Sequence, residues 1–530
     1  MASRPIAREG LNVNWTIVAL VVGGILVLVL AYDLLQRKSA ILHNFPLIGH
    51  FRYLLIEIGP EIRQYIVAHN REEAPFNRLE REWIYHSADR KNNYFGFGTD
   101  DQIYGIGYPI IKHATLPQDA ADSHLEHHGA IEIPSAKIIG AAHRRTKPYR
   151  PPSIINISAM SFGSLGKNAI SALNRGATLA GCFHNTGEGG CSPYHRQGAD
   201  VCYQIGTGYF GVRDLEGNFS LEKAQALVEE VPQIRLFEIK LSQGAKPGKG
   251  GVLPKEKITP EIAAIRGIPE DKDCLSPANH TAFSDVDSMI DFIEMLADAT
   301  GRPVGIKAAV GHLDFFYELA ERMKTRNEGP DFITIDGGEG GTGAAPLTFA
   351  DHVALPYKLG FMRVYKIFLE AELTDDIVFI GSGKLGFPDR GIVAMALGAD
   401  LINVAREAML SIGCIQAQKC HTGGCPAGVA THHAWLQRGL DPEINAKRFQ
   451  AYIETFRKEV AMVTRAAGYR HPGQFTGHDI EMSSGPGQFS TLYELFGYST
   501  KQYLPGHDPV VKPNTRELEA RLAGRLPRRI

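Results

Sequence analysis

Apolar and polar positions divide the chain into three regimes. Residues 15–32, WTIVALVVGGILVLVLAY, are uncharged and apolar throughout, bounded by Asn14 and Asp33. A run of about 18 such residues is long enough to cross a bilayer as a helix. A core helix rarely lacks a polar side for this long. A cleaved signal has a shorter apolar core and a small-x-small site, which does not follow Leu30. A single membrane anchor over residues 1–38 is therefore expected. Arg4 and Arg8 precede the run and Arg37 and Lys38 follow it, a slight lean toward a body on the cytoplasmic side. From about Ser39 to Asp100 apolar and charged residues alternate with helical spacing, as in GPEIRQYIVAHN, predicting a helical collar within a linking region 39–134. DSHLEHHG (122–129) holds three histidines. Without a neighbouring Cys or a Glu-x-x-His context, they read as solvated or core side chains rather than metal ligands.

The third regime, residues 150–412, repeats a short β-branched run, a glycine or polar loop, and a helical pattern. The predicted strands are SIINIS (153–158), CFHN (182–185), RLFEIK (235–240), DCLS (273–276), PVGIKA (303–308), DFITID (331–336), IVFIGS (377–382) and DLINVA (400–405). Strands alternating with helices imply a parallel sheet. Eight units over roughly 260 residues match a closed (β/α)8 TIM barrel, an α/β fold. An open doubly wound sheet, which normally uses fewer strands, is the runner-up. A cysteine-bearing segment follows, then a helical pattern to about 470 and a Pro- and Arg-rich end expected to be loosely ordered. The barrel domain is assigned to 135–435 and the C-terminal extension to 436–530.

Composition adds exclusions. Lys plus Arg is 56 against 58 Asp plus Glu, with no basic excess of the kind nucleic-acid binders carry. Seven cysteines in 530 residues do not make a secreted disulfide scaffold, so the thiols are read as reduced and facing the cytosol. The 56 glycines gather in clusters after apolar runs, where they suit ligand-cradling loops.

Those clusters fall where a barrel places its active site, at the C-terminal ends of the strands. The loops are SAMSFGSLG, NTGEGG with Glu188 as its only charge, QGAKPGKGG with Lys246, DGGEGGTGA, GSGKLG and NVAR. Exposed N–H groups in glycine turns, a helix start and the cations Lys384 and Arg406 favour an anion. A phosphate-bearing cofactor is expected there. Lys240 and Lys307 close two predicted strands, and crevice lysines need an anionic partner, for which the electron-rich edge of a reduced flavin is one candidate.

GCIQAQKCHTGGCPAG (413–428) groups Cys414, Cys420 and Cys425. Three thiolates are one short of a closed zinc site, and His421, next to Cys420, is awkwardly placed as a fourth ligand. An iron–sulfur cluster lacking one iron needs three thiolates; three buried small side chains are the alternative.

Taken together, SAMSFGSLG, NTGEGG, KLSQGAKPGKGG, DGGEGGTGAAP and CIQAQKCHTGGCPAGVAT resemble the FMN-binding synthase domain of glutamate synthases, over roughly residues 135–435. The resemblance implies a (β/α)8 barrel binding FMN, with Cys414, Cys420 and Cys425 holding a 3Fe–4S cluster. It implies FMN contacts from Ala159, Met160 and Ser161, from Asn185, Thr186 and Gly187, from Gly340, Gly341 and Thr342, from Gly381, Gly383 and Lys384, and from Arg406 at the strand-eight end. Lys246 and Arg266 match the family's substrate-binding Lys and Arg, and Glu188 is the candidate for holding a proton or ammonium.

Departures accompany the match. The family's amidotransferase domain begins with a nucleophilic Cys, whereas no Cys precedes Cys182, so glutamine hydrolysis is expected not to be encoded, nor is the C-terminal glycine-repeat domain. The family's KPGEGGQLPG reads KPGKGGVLPK, and its SPPPHHDIYS reads SPANHTAFS. Lys249 thus reverses a charge and Val252 replaces a Gln that helps bind 2-oxoglutarate. The expected activity is reduction of an imine of a 2-oxo acid to an amino acid, with ammonia, an electron donor or a glutaminase supplied by a partner. An amine or amino-acid dehydrogenase feeding a membrane acceptor, and a non-catalytic electron-transfer subunit, are the alternatives.

Overall fold

The computed structural model describes residues 15–36, 39–94, 96–117, 126–127, 130–253 and 255–504. His124, His128 and the residues beyond 504 lie outside them, and of His127 only the backbone is described, in the two-residue strand Glu126–His127. Two compact units divide between Leu79 and Glu80.

The first unit holds the apolar helix Trp15–Leu35, a short helix Ala40–Asn44, and the helix Ile48–Ile62, which ends in a π-helical turn Arg63–Val67. The predicted helical character of the segment after the apolar run is present here.

The second unit is built on a closed parallel barrel. Its strands, in order around the wall, are Ile155–Ile157, His184–Asn185, Val201–Ile205, Ile234–Lys240, Val304–Ala308, Phe332–Asp336, Val378–Ser382 and Leu401–Val404. The ring closes where Ile402 pairs with Ile155 and Val404 with Ile157. Burial on both faces explains why these strands read as continuous apolar runs rather than alternations.

One predicted strand is corrected. Cys274–Leu275, from DCLS, pairs antiparallel with Val252–Leu253 in a two-stranded ribbon outside the barrel. The third barrel strand is instead Val201–Ile205, buried at every residue. Its mixed sequence VCYQI lacks a β-branched run. The link from the second strand carries a single 3-10 turn, Pro193–His195, so the strand–helix rhythm that revealed the others is broken there. Lys240 therefore closes the fourth strand, not the third.

Outside the wall, Pro442–Ala466 packs along Lys167–Ala180. The approach is so close that a Cβ on Gly176 would sit 2.8 Å from Ala446 O. The C-terminal part also contributes a hairpin, Ile480–Gly485 with Gln488–Thr491, and its first strand pairs with Pro109–Ile111. The apolar pattern gave no sign of this sheet.

At the N-terminal ends of the strands, buried charges are saturated. Lys137 donates to Thr374 O (2.7 Å), Ile377 O (3.1 Å) and Asp400 Oδ2 (2.9 Å). Asp331 receives Arg145 Nε at 3.0 Å, His143 at 2.8 Å and the Val304 N–H at 2.8 Å. Asp331 and Asp400 each sit just before a strand and accept a backbone N–H, from Val304 and Phe379, where the first groups of the ladder need partners.

Candidate active site

A partly open cavity occupies the C-terminal end of the barrel. Its lining runs around the wall, from Ser158 and Ala159 after the first strand to Asn403 and Arg406 at the last.

The floor is polar and fully paired. Glu238, in the middle of the fourth strand, accepts hydrogen bonds from Asn185 Nδ2 (2.8 Å), Gln204 Nε2 (2.6 Å) and Thr334 Oγ1 (2.7 Å). Buried carboxylates require such partners. Above it, Lys307 Nζ lies 3.5 Å from Asp336 Oδ2. Although burial disfavours its charge, Asp336 and Glu238 raise the Lys307 pKa above the usual lysine value. Asp336 also accepts from the Gly244 N–H at 2.9 Å and from Ser382 Oγ at 2.8 Å. It thereby joins the ends of the fourth, sixth and seventh strands.

A second ion pair borders the cavity: Lys240 Nζ stands 2.9 Å from Glu188 Oε1. Burial pushes the Glu188 carboxyl up, but Lys240, Lys246 and Arg266 outweigh it and hold the pKa below the usual glutamate range. The Lys246 ammonium is lowered by burial first and by Lys240 next, against the pull of Glu188. The glycines of facing loops leave room for Glu188: a Cβ on Gly206 would meet its Cβ at 2.7 Å.

Toward the seventh and eighth strands the lining changes to Ser382, Gly383, Lys384, Asn403, Ala405 and Arg406. Gly383 has φ +127 and Lys384 φ +56, so the turn exposes backbone in a conformation that favours glycine. Lys384 lies 3.4 Å from Glu80 Oε2, and Arg406 donates to Glu339 O. Asn403 Oδ1 is buried without a hydrogen-bond partner among the described residues. An orphaned buried acceptor costs on the order of 1–3 kcal/mol. An acceptor at this cavity suits a ligand that brings its own donors.

Of the residues expected to hold a cofactor, Ala159, Lys240, Lys307, Gly340, Gly341, Gly383, Lys384 and Arg406 line the cavity. Met160, Ser161, Asn185, Thr186, Gly187, Thr342 and Gly381 are not part of this lining. Met160 O receives His195 Nε2 at 2.9 Å, Asn185 serves Glu238, and a Cβ on Gly187 (φ +64) would lie 2.8 Å from Ser161 N. Lys246 and Arg266 are buried next to the lining rather than in it. The Arg266 guanidinium donates to Phe162 O at 3.1 Å and to Cys274 Sγ at 3.6 Å, and it stacks over Phe210. Gln243, Asp336, Ser382 and Asn403 fall in loops expected at the site without having been singled out, and Gln204 was not anticipated. A polar residue near the end of an otherwise apolar strand is the signal that would have found them.

The cysteine segment follows the helix Arg406–Ser411 and is tied to the loop after the first strand, where the Gly166 N–H donates to Val429 O (2.9 Å) and His432 Nε2 to Gly163 O (2.8 Å). Two non-glycine residues, Gln416 (φ 57) and Gln418 (φ 55), take the left-handed conformation between the first two cysteines. Burial, then the neighbouring Cys420 and Cys425, push the Cys414 thiol up to about 12. Burial and Cys425 raise Cys420 as well, against Lys257, whose ammonium donates to Cys420 O at 2.6 Å. Among the described residues no three His, Cys, Asp or Glu side chains converge on a single metal ion. The buried Lys257 ammonium is the cation nearest these thiols, and its own pKa is lowered by burial against the pull of Cys420 and Cys425.

Residues 109–470 match the family described as the conserved region in glutamate synthase. The glutamate synthase large subunit-like protein YerD of Bacillus subtilis is 38% identical over 491 residues, covering 87% of this chain and 93% of that protein. The archaeal glutamate synthase [NADPH] of Methanocaldococcus jannaschii is 36% identical over 317 residues, 59% of each chain. The glutamate synthase [NADPH] large chain of Bacillus subtilis is 32% identical over 327 residues, 59% of this chain and 20% of its own length.

Proposed function

The chain belongs to the glutamate synthase family, and from that premise we propose that it is an FMN-dependent oxidoreductase acting on CH–NH₂ compounds, which reduces the imine of a 2-oxo acid to an amino acid. The observation that carries the reading is the cavity itself, with cations on two sides and the unpartnered Asn403 Oδ1 in its lining. FMN, when bound, supplies hydride transfer. Lys384, Arg406 and the Gly383 turn would hold its phosphate, and Lys240 and Lys307 would offset negative charge on its ring. Asp336 keeps Lys307 charged and oriented. Glu188, ionised beside Lys240, would hold an ammonium ion or accept and return the proton that imine formation releases. Lys246 and Arg266 border this pair and would recognise substrate carboxylates, Lys as a point charge and Arg as a fork. Cys414, Cys420 and Cys425 would hold a 3Fe–4S cluster that relays single electrons from a reductase or other partner.

The reading also includes a single-pass anchor at Trp15–Leu35 with the catalytic body on the cytoplasmic side. That helix favours a second direction of the same chemistry, oxidation of an amino acid with electrons passed to a membrane acceptor. The test is anaerobic. Pre-reduced protein should be reoxidised by 2-oxoglutarate with ammonia or methylamine. If no oxo acid reoxidises it, and an amino acid instead reduces it with quinone turnover, the second direction stands.

A further inference from the structure

The first unit contains more exposed apolar surface than its apolar helix accounts for. In Ile48–Ile62, the residues Ile48, Phe51, Leu54, Leu55, Ile58 and Ile62 recur at helical spacing and form one stripe, and every one is exposed, from 37% at Ile62 to 78% at Ile48. The stripe continues into the π-helical turn at Ile66, 80% exposed. His50, Glu57 and Gln64, seven residues apart, lie outside it. A contiguous apolar face of this kind marks an interaction site.

The helix is fixed to the end of its apolar neighbour. Asp33, fully buried near the C-terminus of Trp15–Leu35, meets His50 Nε2 with both carboxylate oxygens at 3.0 Å and accepts the Leu47 N–H at 3.0 Å. Ser39 caps the short helix Ala40–Asn44 through the Leu42 N–H and contacts Tyr53 Oη at 2.7 Å. Gly49 lets the two shorter helices touch: a Cβ there would lie 3.0 Å from Leu42 Cδ2. The stripe thus begins at a latched corner where the apolar helix turns polar.

We propose that Ile48–Ile62 lies in the plane of the bilayer interface as a second membrane contact, its stripe sunk to the boundary between headgroups and acyl chains. The proposal rests on the anchor reading of Trp15–Leu35, which has mean hydropathy 2.6 and only 6% of its span buried. Lipid is the occupant for two reasons. The stripe is continuous, through the Asp33 latch, with a helix that itself exposes apolar side chains on all sides. Its own sequence also excludes a second crossing, because Arg52, Glu57, Glu61, Arg63 and Pro60 interrupt it and charges inside a bilayer are costly. An amphipathic helix with a narrow apolar stripe lies on a membrane instead. With one arginine and two glutamates on the helix and Arg63 just beyond it, there is no cationic excess, so attachment is apolar in origin and does not require anionic lipid.

The test uses the full chain reconstituted in phosphatidylcholine vesicles containing a phosphatidylcholine with a photoactivatable acyl chain. Labelled peptides are mapped by mass spectrometry. Labels on both 15–35 and 48–62 are expected. The variant Leu54→Glu/Ile58→Glu/Ile62→Glu alters only exposed positions and should keep its melting temperature. It should lose at least tenfold of the label on 48–62 while retaining that on 15–35. Label on 15–35 alone in the unaltered chain overturns the proposal and leaves the anchor standing. If that result comes with a dimer that the triple variant abolishes, the stripe belongs to a second copy. Label on neither segment overturns both the proposal and the anchor.

Discussion

The two ends of the barrel use the same buried charges in opposite ways. At the N-terminal end all three Lys137 N–H groups are taken, two by carbonyls and one by Asp400. Asp331 is likewise surrounded by Arg145, His143 and a backbone N–H. At the C-terminal end Lys240 and Lys307 each contact one carboxylate among the described residues, leaving donors in the lining of a cavity. Asn403 Oδ1, also in that lining, has no partner among the described residues. A buried charge whose bonding capacity is used up holds the fold. A buried charge with capacity to spare is a means of binding something else.

Substitutions at the two ends should therefore fail differently. The largest effect is expected from Lys137→Met, which strands Asp400 and two carbonyls. Loss of one partner of a buried pair costs about 3–5 kcal/mol, readable as a fall in unfolding free energy in urea. Cofactor affinity of whatever remains folded should be unchanged. Glu188→Gln, at the other end, should lower turnover about 100-fold, the usual scale for a lost proton-transfer group, with a smaller loss of stability than Lys137→Met. Equal losses of stability at both positions would erase the distinction. Arg406→Ala should weaken FMN binding about tenfold or more, since a hydrogen bond to a charged group contributes about 1.5–3 kcal/mol; equilibrium dialysis reads this directly. Cys420→Ala should remove the cluster's EPR signal while FMN stays bound, and loss of both would make the segment a structural strap.

The smallest effect is a pH dependence. Because the folded Glu188 pKa is depressed, the pair with Lys240 stabilises the protein above the unfolded glutamate value of about 4.3. That contribution is lost as pH falls through the lower folded value. Melting curves of the wild type and Glu188→Gln should differ at neutral pH and converge in acid. A gap that widens in acid would mean that Glu188 is protonated in the folded state.

The sequence carried the barrel and most of its mouth, for identifiable reasons. Strands such as DFITID and IVFIGS announce themselves because both faces are buried, and GSGKLG because a tight anion-cradling turn needs glycine. VCYQI did not, since its Tyr203 and Gln204 dilute the apolar run and no helix precedes it. Missing that strand hid Gln204, and with it the carboxylate floor at Glu238. DCLS misled because a two-residue ribbon and a barrel strand share the same local composition. The positions of Lys246 and Arg266 behind the lining, and the relation among the three cysteines, depend on how loops fold over the barrel, which no periodicity records.

The C-terminal cavity is proposed to hold FMN. This is tested most directly by the absorption spectrum of the purified full-length chain and of the supernatant after its denaturation. A flavin spectrum on the protein, with one FMN released per chain, is predicted. A colourless protein that takes up no added FMN would mean that the cavity does not bind flavin.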